Sequence, residues 1–222
     1  MSQLSVGESN LAVVPDCPFC NIAKQHHLPF DANHPINDAG DFFFKPDFGM
    51  MMPGHFLAVT KEHFTSFAQL GREKLEEVDR TLDFYEDSLS QIFGSYFRIE
   101  HGSDNIRACG SGACIEHAHT HLFPADADVG AYIQEQLPWQ KLDSYEDLAE
   151  FRGHPYIYLG RLATHGVVAD PRLPGQWARR QIAAVRGLEH WDWAVFDSKE
   201  ALRLTFEGLK KLPSSSLNRG GE

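Results

Sequence analysis

Three histidines alternate with other residues in Cys114-Ile-Glu-His-Ala-His-Thr-His-Leu-Phe123, at positions 117, 119 and 121. On an extended strand, side chains two apart share a face, so the spacing predicts that all three imidazoles converge. Titratable rings crowded this way are costly to bury without a use, because protonating one disfavours protonating the next. Two chemistries would use them. Neutral imidazoles can hold a metal, as in many hydrolases, although such sites usually recruit carboxylates and the adjacent Glu116 is expected on the other strand face. Alternatively, one ring is a nucleophile whose tautomer its neighbours hold. Isolated histidines (His26, His27, His34, His190) need only ordinary hydrogen bonds.

Cys17-Pro-Phe-Cys20 has the two-residue gap that lets both thiolates grip one tetrahedral zinc. Two more ligands are needed, and Cys109 and Cys114, five apart, make a poor second pair. Histidines must complete the set, with His63 and His117 as candidates. A redox reading expects CxxC at the start of a helix after a strand, and the loose N-terminal context ranks it below zinc. Two unrelated buried cysteines are the bland alternative.

These residues sit in an ordinary globular chain. It has 222 residues, 42% of them hydrophobic and 23% charged, which excludes disordered and fibrous classes. Lys and Arg number 20 against 31 Asp and Glu, a net charge of −11 that argues against broad binding to nucleic acid or an anionic membrane. A small phosphate ligand stays compatible, since a few local donors outweigh remote charge. No signal peptide or membrane span is expected, and four cysteines in this length make a reducing cytoplasm the default compartment.

Around the motifs, Asp41–Lys45 reads as a strand closed by Pro46, and His55–Thr60 as a second strand entered through Pro53-Gly54. Leu75, Val78, Leu82, Tyr85, Leu89 and Ile92 step by three or four, predicting one long helix over Ser66–Phe93 with Glu73, Lys74, Glu76, Glu77, Arg80 and Asp87 on a solvated face. Ser95–Glu100 reads as a third strand, and Cys114–Phe123 as an extended segment stopped by Pro124. Beyond it, Ser144–Arg152 reads as a capped helix, Tyr156–Leu159 with Val167–Ala169 as a hairpin, and Trp177–Val185 as a further helix. Elements in this mixed order predict an α+β fold.

Pro53-Gly-His-Phe-Leu-Ala-Val-Thr-Lys-Glu-His63, a long helix, then Gly112-Ala-Cys-Ile-Glu-His-Ala-His-Thr-His-Leu-Phe-Pro124 resembles the histidine triad (HIT) superfamily. Cys17-Pro-Phe-Cys20-Asn-Ile resembles the zinc-binding opening of many bacterial members, so the likeness runs from about Cys17 to Pro124. The resemblance implies an antiparallel sheet with a long packed helix, plus further C-terminal α/β elements. The ends at 1–14 and 213–222 read from their own residues as flexible termini, and the resemblance implies a HIT core at 15–126 and a packed extension at 127–212.

For function, the resemblance implies cleavage of nucleoside phosphate derivatives through a nucleotidyl–histidine intermediate. His119 matches the nucleophile, His121 the third histidine that donates to phosphate oxygens, and His55 an upstream member of the network. Cys17, Cys20, His63 and His117 match the structural zinc ligands of the zinc-containing members. Asp47 matches a residue that binds ribose hydroxyls, with a turn-forming Asp as the bland alternative. The Gly110-Ser-Gly112 loop would bring backbone N–H groups to phosphate, and Cys114 stands where many members carry Ser or Thr.

Gln176 and Arg179 are candidate phosphate contacts, against a plain reading of Arg179-Arg180 as a surface pair on a helix. Ile99-Glu-His-Gly102 resembles the Glu-Asn-x-Gly segment of galactose-1-phosphate uridylyltransferases. Those enzymes, like diadenosine tetraphosphate phosphorylases, carry Gln where this chain has His121, which favours hydrolysis. Implied partners are a small-molecule nucleotide and a second copy of the chain, without large nucleic acid or membrane. The rivals are nucleotidyl transfer or phosphorolysis, a non-catalytic nucleotide-binding module, and metal-dependent hydrolysis at the three histidines.

Overall fold

The computed structural model describes residues 17–24, 37–47, 49–103, 116–124, 127–161, 164–169, 172–193, 195 and 198–212. Its eight strands are β1 (Asn37–Ala39), β2 (Phe42–Pro46), β3 (Phe56–Thr60), β4 (Tyr96–Gly102), β5 (His119–Pro124), β6 (Gln140–Leu142), β7 (Tyr156–Arg161) and β8 (Thr164–Ala169). They form one sheet in the order β1-β2-β3-β5-β4-β7-β8-β6, with every pairing antiparallel. The helices are α1 (Pro18–Ala23), α2 (Arg72–Phe93), α3 (Ala127–Glu135), α4 (Trp177–Arg186) and α5 (Lys199–Leu209). The fold is α+β, and β7 and β8 of the C-terminal part continue the same sheet.

Register and the two-residue period sort the strand residues onto two faces. On one face Phe44, Ala58, Thr120, Glu100 and Tyr158 stand abreast across β2-β3-β5-β4-β7. This face carries the largest core, closed by the buried stripe Leu75, Val78, Leu82, Tyr85 and Leu89 of α2. Tyr85 stacks on Phe44 with ring centroids 4.4 Å apart.

On the other face Leu57, His121, Ile99 and Leu159 stand abreast, with His119 opposite Val59. Here the packing divides. Cys17, Phe19, Cys20 and Ile22 cover Phe43, Leu57 and Val59, while α3 and α4 cover Phe97, Ile99, Phe123, Ile157 and Leu159. His119 and His121 lie on β5 between those patches.

The strands expected near residues 41–45, 55–60 and 95–100 form, as do the 156–169 hairpin and the helix from Trp177. Two expectations are corrected. The single helix from Ser66 is broken: a 3-10 turn covers Phe67–Leu70, and Gly71, at φ 86°, turns the chain before α2 begins. An L side chain is strained at that angle, so the glycine sets the break. Ser144–Arg152 forms a 3-10 helix, Tyr145–Phe151, rather than an α-helix, with Asp147 Oδ2 accepting from the Ser144 N–H at 3.0 Å.

Candidate functional site

β5 begins at His119, so the strand period governs His119 and His121 only. His117 lies before the strand, where its Nε2–H donates to the Thr60 carbonyl at 2.7 Å. That bond turns Nδ1 towards Cys17 Sγ at 3.4 Å and Cys20 Sγ at 3.6 Å, while His63 Nδ1 lies 3.2 Å from Cys20 Sγ. The four ligand atoms lie within 4.8 Å of one another.

A tetrahedron with metal–sulfur bonds of about 2.3 Å and metal–nitrogen bonds of about 2.0–2.1 Å has S···N edges of roughly 3.6 Å. The donor separations match that edge, and a backbone carbonyl holding the far nitrogen is the usual anchor of a metal-binding imidazole. The residues therefore fit a closed metal site. Burial pushes the Cys17 thiol up to about 11 and drops His117 to about 4. A dication among the donors would favour thiolate, and the neutral imidazole is already in ligand form. The cysteine pair does open a short helix, but its thiols face two histidines and neither is in a disulfide.

Phe19, between the two cysteines, joins this cluster to the triad. Its ring centroid is 5.6 Å from that of His117 and 5.4 Å from that of His119. His119 Nδ1–H donates to the His117 carbonyl at 2.6 Å, which leaves the Nε2 lone pair free. Burial lowers the His119 pKa, so the ring is neutral near pH 7. A neutral imidazole with a defined free nitrogen is the state a nucleophile needs.

His121 and His55 form the second half of the network. His55 Nε2 lies 3.0 Å from His121 Nδ1, and both rings stack on Phe123. His55 is delivered by Pro53-Gly54, where Gly54 has φ 83° and a Cβ would stand 2.5 Å from Phe93. The Gly54 N–H donates to Thr205 of α5, and its carbonyl accepts from Tyr96. Burial drops His55 to about 3 against the opposing charge of Asp47, and burial with the neighbouring His119 and His55 also depresses His121.

Asp47 is buried behind these rings, with Oδ2 3.4 Å from His55 Nδ1. Burial alone would raise its pKa, but His55, Arg179, His121 and Lys45 outweigh that and hold the carboxyl well below the usual range. Arg179 is not half of a surface pair. It is 2% exposed, and one guanidinium nitrogen donates to Asp47 Oδ2 at 2.5 Å. Arg180 is the exposed member, lying over the Trp191 ring. Gln176 bonds Asp192 and the Trp193 N–H instead of facing the triad.

Donor atoms of Asp47, His55 and His121 also gather within 4.8 Å, but the Arg179 guanidinium already supplies positive charge to that carboxylate. The three triad histidines do not share one centre: His117 groups with the cysteines and His121 with Asp47 and His55. Gly110, Ser111, Gly112 and Cys114 lie outside the described residues. Lys45, which carried no motif, is buried on the triad face opposite Leu57 and donates to the Pro46 carbonyl. Burial lowers it to about 8, opposed by Asp47.

No protein-family model matches the chain, and no curated protein matches it. Among solved structures it is similar to a HIT family hydrolase from Clostridium thermocellum, at 19% identity and TM-score 0.37, over 52% of this chain and 95% of that one. It is also similar to yeast Ap4A phosphorylase in complex with AMP, at 16% identity and TM-score 0.40, over 68% of this chain and 63% of the phosphorylase.

Proposed function

We propose that the chain is a histidine-triad nucleotide hydrolase that cleaves a dinucleoside polyphosphate or nucleoside phosphoramidate. The observation carrying this reading is the 2.6 Å bond from His119 Nδ1 to the His117 carbonyl, which leaves Nε2 as an oriented, neutral nucleophile. In the first step Nε2 bonds to the α-phosphorus, the bond from that phosphorus to the leaving group breaks, and the leaving group departs with the bond's electron pair and takes up a proton. In the second step water attacks the same phosphorus, giving up a proton as the P–N bond breaks, and releases the nucleoside monophosphate. His121, steadied by His55 and stacked on Phe123, donates to phosphate oxygens as charge builds. Asp47 is the residue assigned to the ribose, and Gly112 and Cys114 those assigned to phosphate.

Zinc is the metal assigned to Cys17, Cys20, His63 and His117. Bound by four protein ligands, it would supply structural cross-linking, with no position left for water. The chain's own groups do the rest: the Thr60 carbonyl fixes the His117 tautomer, and the His117 carbonyl fixes that of His119. The reading places the protein in a reducing cytoplasm, where both cysteines stay reduced and available to the metal, and as a dimer. Among the described residues no helix is long and apolar enough to cross a membrane.

The test is product analysis on diadenosine tetraphosphate, adenosine phosphoramidate and UDP-glucose, with and without added phosphate or sugar phosphate. Nucleoside monophosphate formed in water alone is the expected result. Turnover that waits for an acceptor would replace hydrolysis with transfer, and stoichiometric binding without turnover would make the chain a binding module.

A further inference from the structure

The C-terminal helices clamp the loop that carries Asp47 and His55. From α5, Thr205 Oγ1 accepts from the Gly54 N–H at 2.8 Å, donates to the Ala201 carbonyl at 2.8 Å and lies 3.0 Å from Met50 Sδ. From α4, Arg179 commits all three guanidinium nitrogens: Nε to the Trp191 carbonyl at 2.7 Å, and the two Nη atoms at 2.5 Å each to Asp47 Oδ2 and the Gly49 carbonyl. The contact is built from both sides. A Cβ on Gly49 would stand 2.5 Å from Trp193 Cβ and 3.1 Å from an Arg179 Nη, so only glycine admits this approach. Gln176 fixes the Trp193 side by accepting from its N–H and donating to Asp192.

We propose that Arg179 is a positioning residue of the histidine site, acting through Asp47 to decide which nitrogens of His55 and His121 carry their protons. The inference rests on the proposed use of His121 as a phosphate donor. Two groups compete for His55 Nδ1: the Met51 N–H at 3.5 Å, a donor, and Asp47 Oδ2 at 3.4 Å, an acceptor. With Oδ2 held by the guanidinium, the carboxylate draws weakly on the ring, and Met51 donates to Nδ1. The His55 proton then sits on Nε2 and is donated to His121 Nδ1. His121 keeps its own proton on Nε2, as an N–H available to phosphate.

Without the guanidinium, Asp47 draws the His55 proton to Nδ1. His55 Nε2 must then accept from His121 Nδ1–H, and His121 loses its Nε2–H donor. Each neutral ring carries one proton in both arrangements, so the change is one of tautomer and not of charge. Lys45, Asp47, Arg179, His119 and His121 are the charged or titratable groups acting on His55, and Arg179 bonds the carboxylate oxygen nearest that ring.

The test is a cycle of wild type, Arg179→Met, Asp47→Asn and the double variant, with Arg179→Lys as the conservative control. Turnover is read as kcat and KM separately, and 15N NMR of labelled histidines reads ring tautomers without substrate. Arg179→Met is expected to lower kcat by roughly 100-fold, the usual loss for one charge-stabilising donor, with KM little changed. In the Asp47→Asn background the same change should cost far less, and Arg179→Lys should recover part of kcat. The NMR spectrum should move His121 from Nε2–H to Nδ1–H in Arg179→Met alone. Equal losses in both backgrounds, a rise in KM alone, or unchanged tautomers would overturn the proposal. If Arg179→Met does not fold, Arg179→Lys and the double variant carry the same comparison. The NMR arm needs no substrate, so it separates failure here from failure of the hydrolase reading.

Discussion

Glu100 is a carboxyl that the fold should keep protonated near neutral pH, and replacing it with Gln reads that out directly. It is fully buried on the α2 face of β4, with Oε1 accepting from the Phe67 N–H at 2.7 Å and no hydrogen-bond partner for Oε2 among the described residues. Burial raises it from 4.5 to about 7, against the hydrogen bonds from Phe67 and Tyr156. Between those pH values the native state holds more protons than the unfolded state, so stability falls as pH rises. At about 1.4 kcal/mol per pH unit the loss is about 3 kcal/mol, complete above pH 7 and absent below the unfolded value. Glu100→Gln removes the titration while keeping the shape. Urea unfolding of both proteins from pH 4 to pH 8 should show the variant gaining about 3 kcal/mol on wild type across that range. Any fixed cost of the amide cancels in this comparison. A gap that stays flat, or narrows as pH rises, would refute the protonated-carboxyl reasoning.

Arg98 is buried and bonds Glu86, Asp79 and Asp83 on successive turns of α2. Arg98→Met would leave the buried Glu86 carboxylate unpaired, which costs roughly 3–5 kcal/mol, read as a lower urea midpoint near pH 7. Cys17→Ser and His63→Ala should each drop bound zinc well below one equivalent per chain, measured by plasma emission on purified protein. Both should also lower the unfolding temperature more than they change the helical circular dichroism signal. Full zinc retention in both variants would remove the four-residue metal assignment.

Much of the site was legible because its chemistry is carried by local spacing. The alternation at His117, His119 and His121 and the gap between Cys17 and Cys20 are short-range patterns. The structure puts His119 and His121 on β5, while His117, expected on the same face, lies before the strand and joins the cysteines in one cluster. The α2 stripe was legible for the same reason, since a core face imposes its period on the sequence. What escaped depends on partners far away in the chain. Arg179 and Asp47 are 132 positions apart, and nothing near Arg179 distinguishes it from its exposed neighbour Arg180. Nothing local marks Asp79, Asp83 and Glu86 as partners of Arg98 either, because Arg98 lies on another element. The break before α2 was visible as Gly71, yet a glycine inside a periodic stretch does not by itself announce a positive φ.

The central claim is that His119 Nε2 forms a bond to phosphorus, and acid-labile trapping tests it most directly. The protein would be mixed with α-labelled substrate, quenched in alkali, digested and mapped by mass spectrometry, beside His119→Ala and His119→Gly. The account predicts a nucleotidyl group on His119, absent from both variants, which should also lose turnover. Turnover surviving in those variants would contradict it.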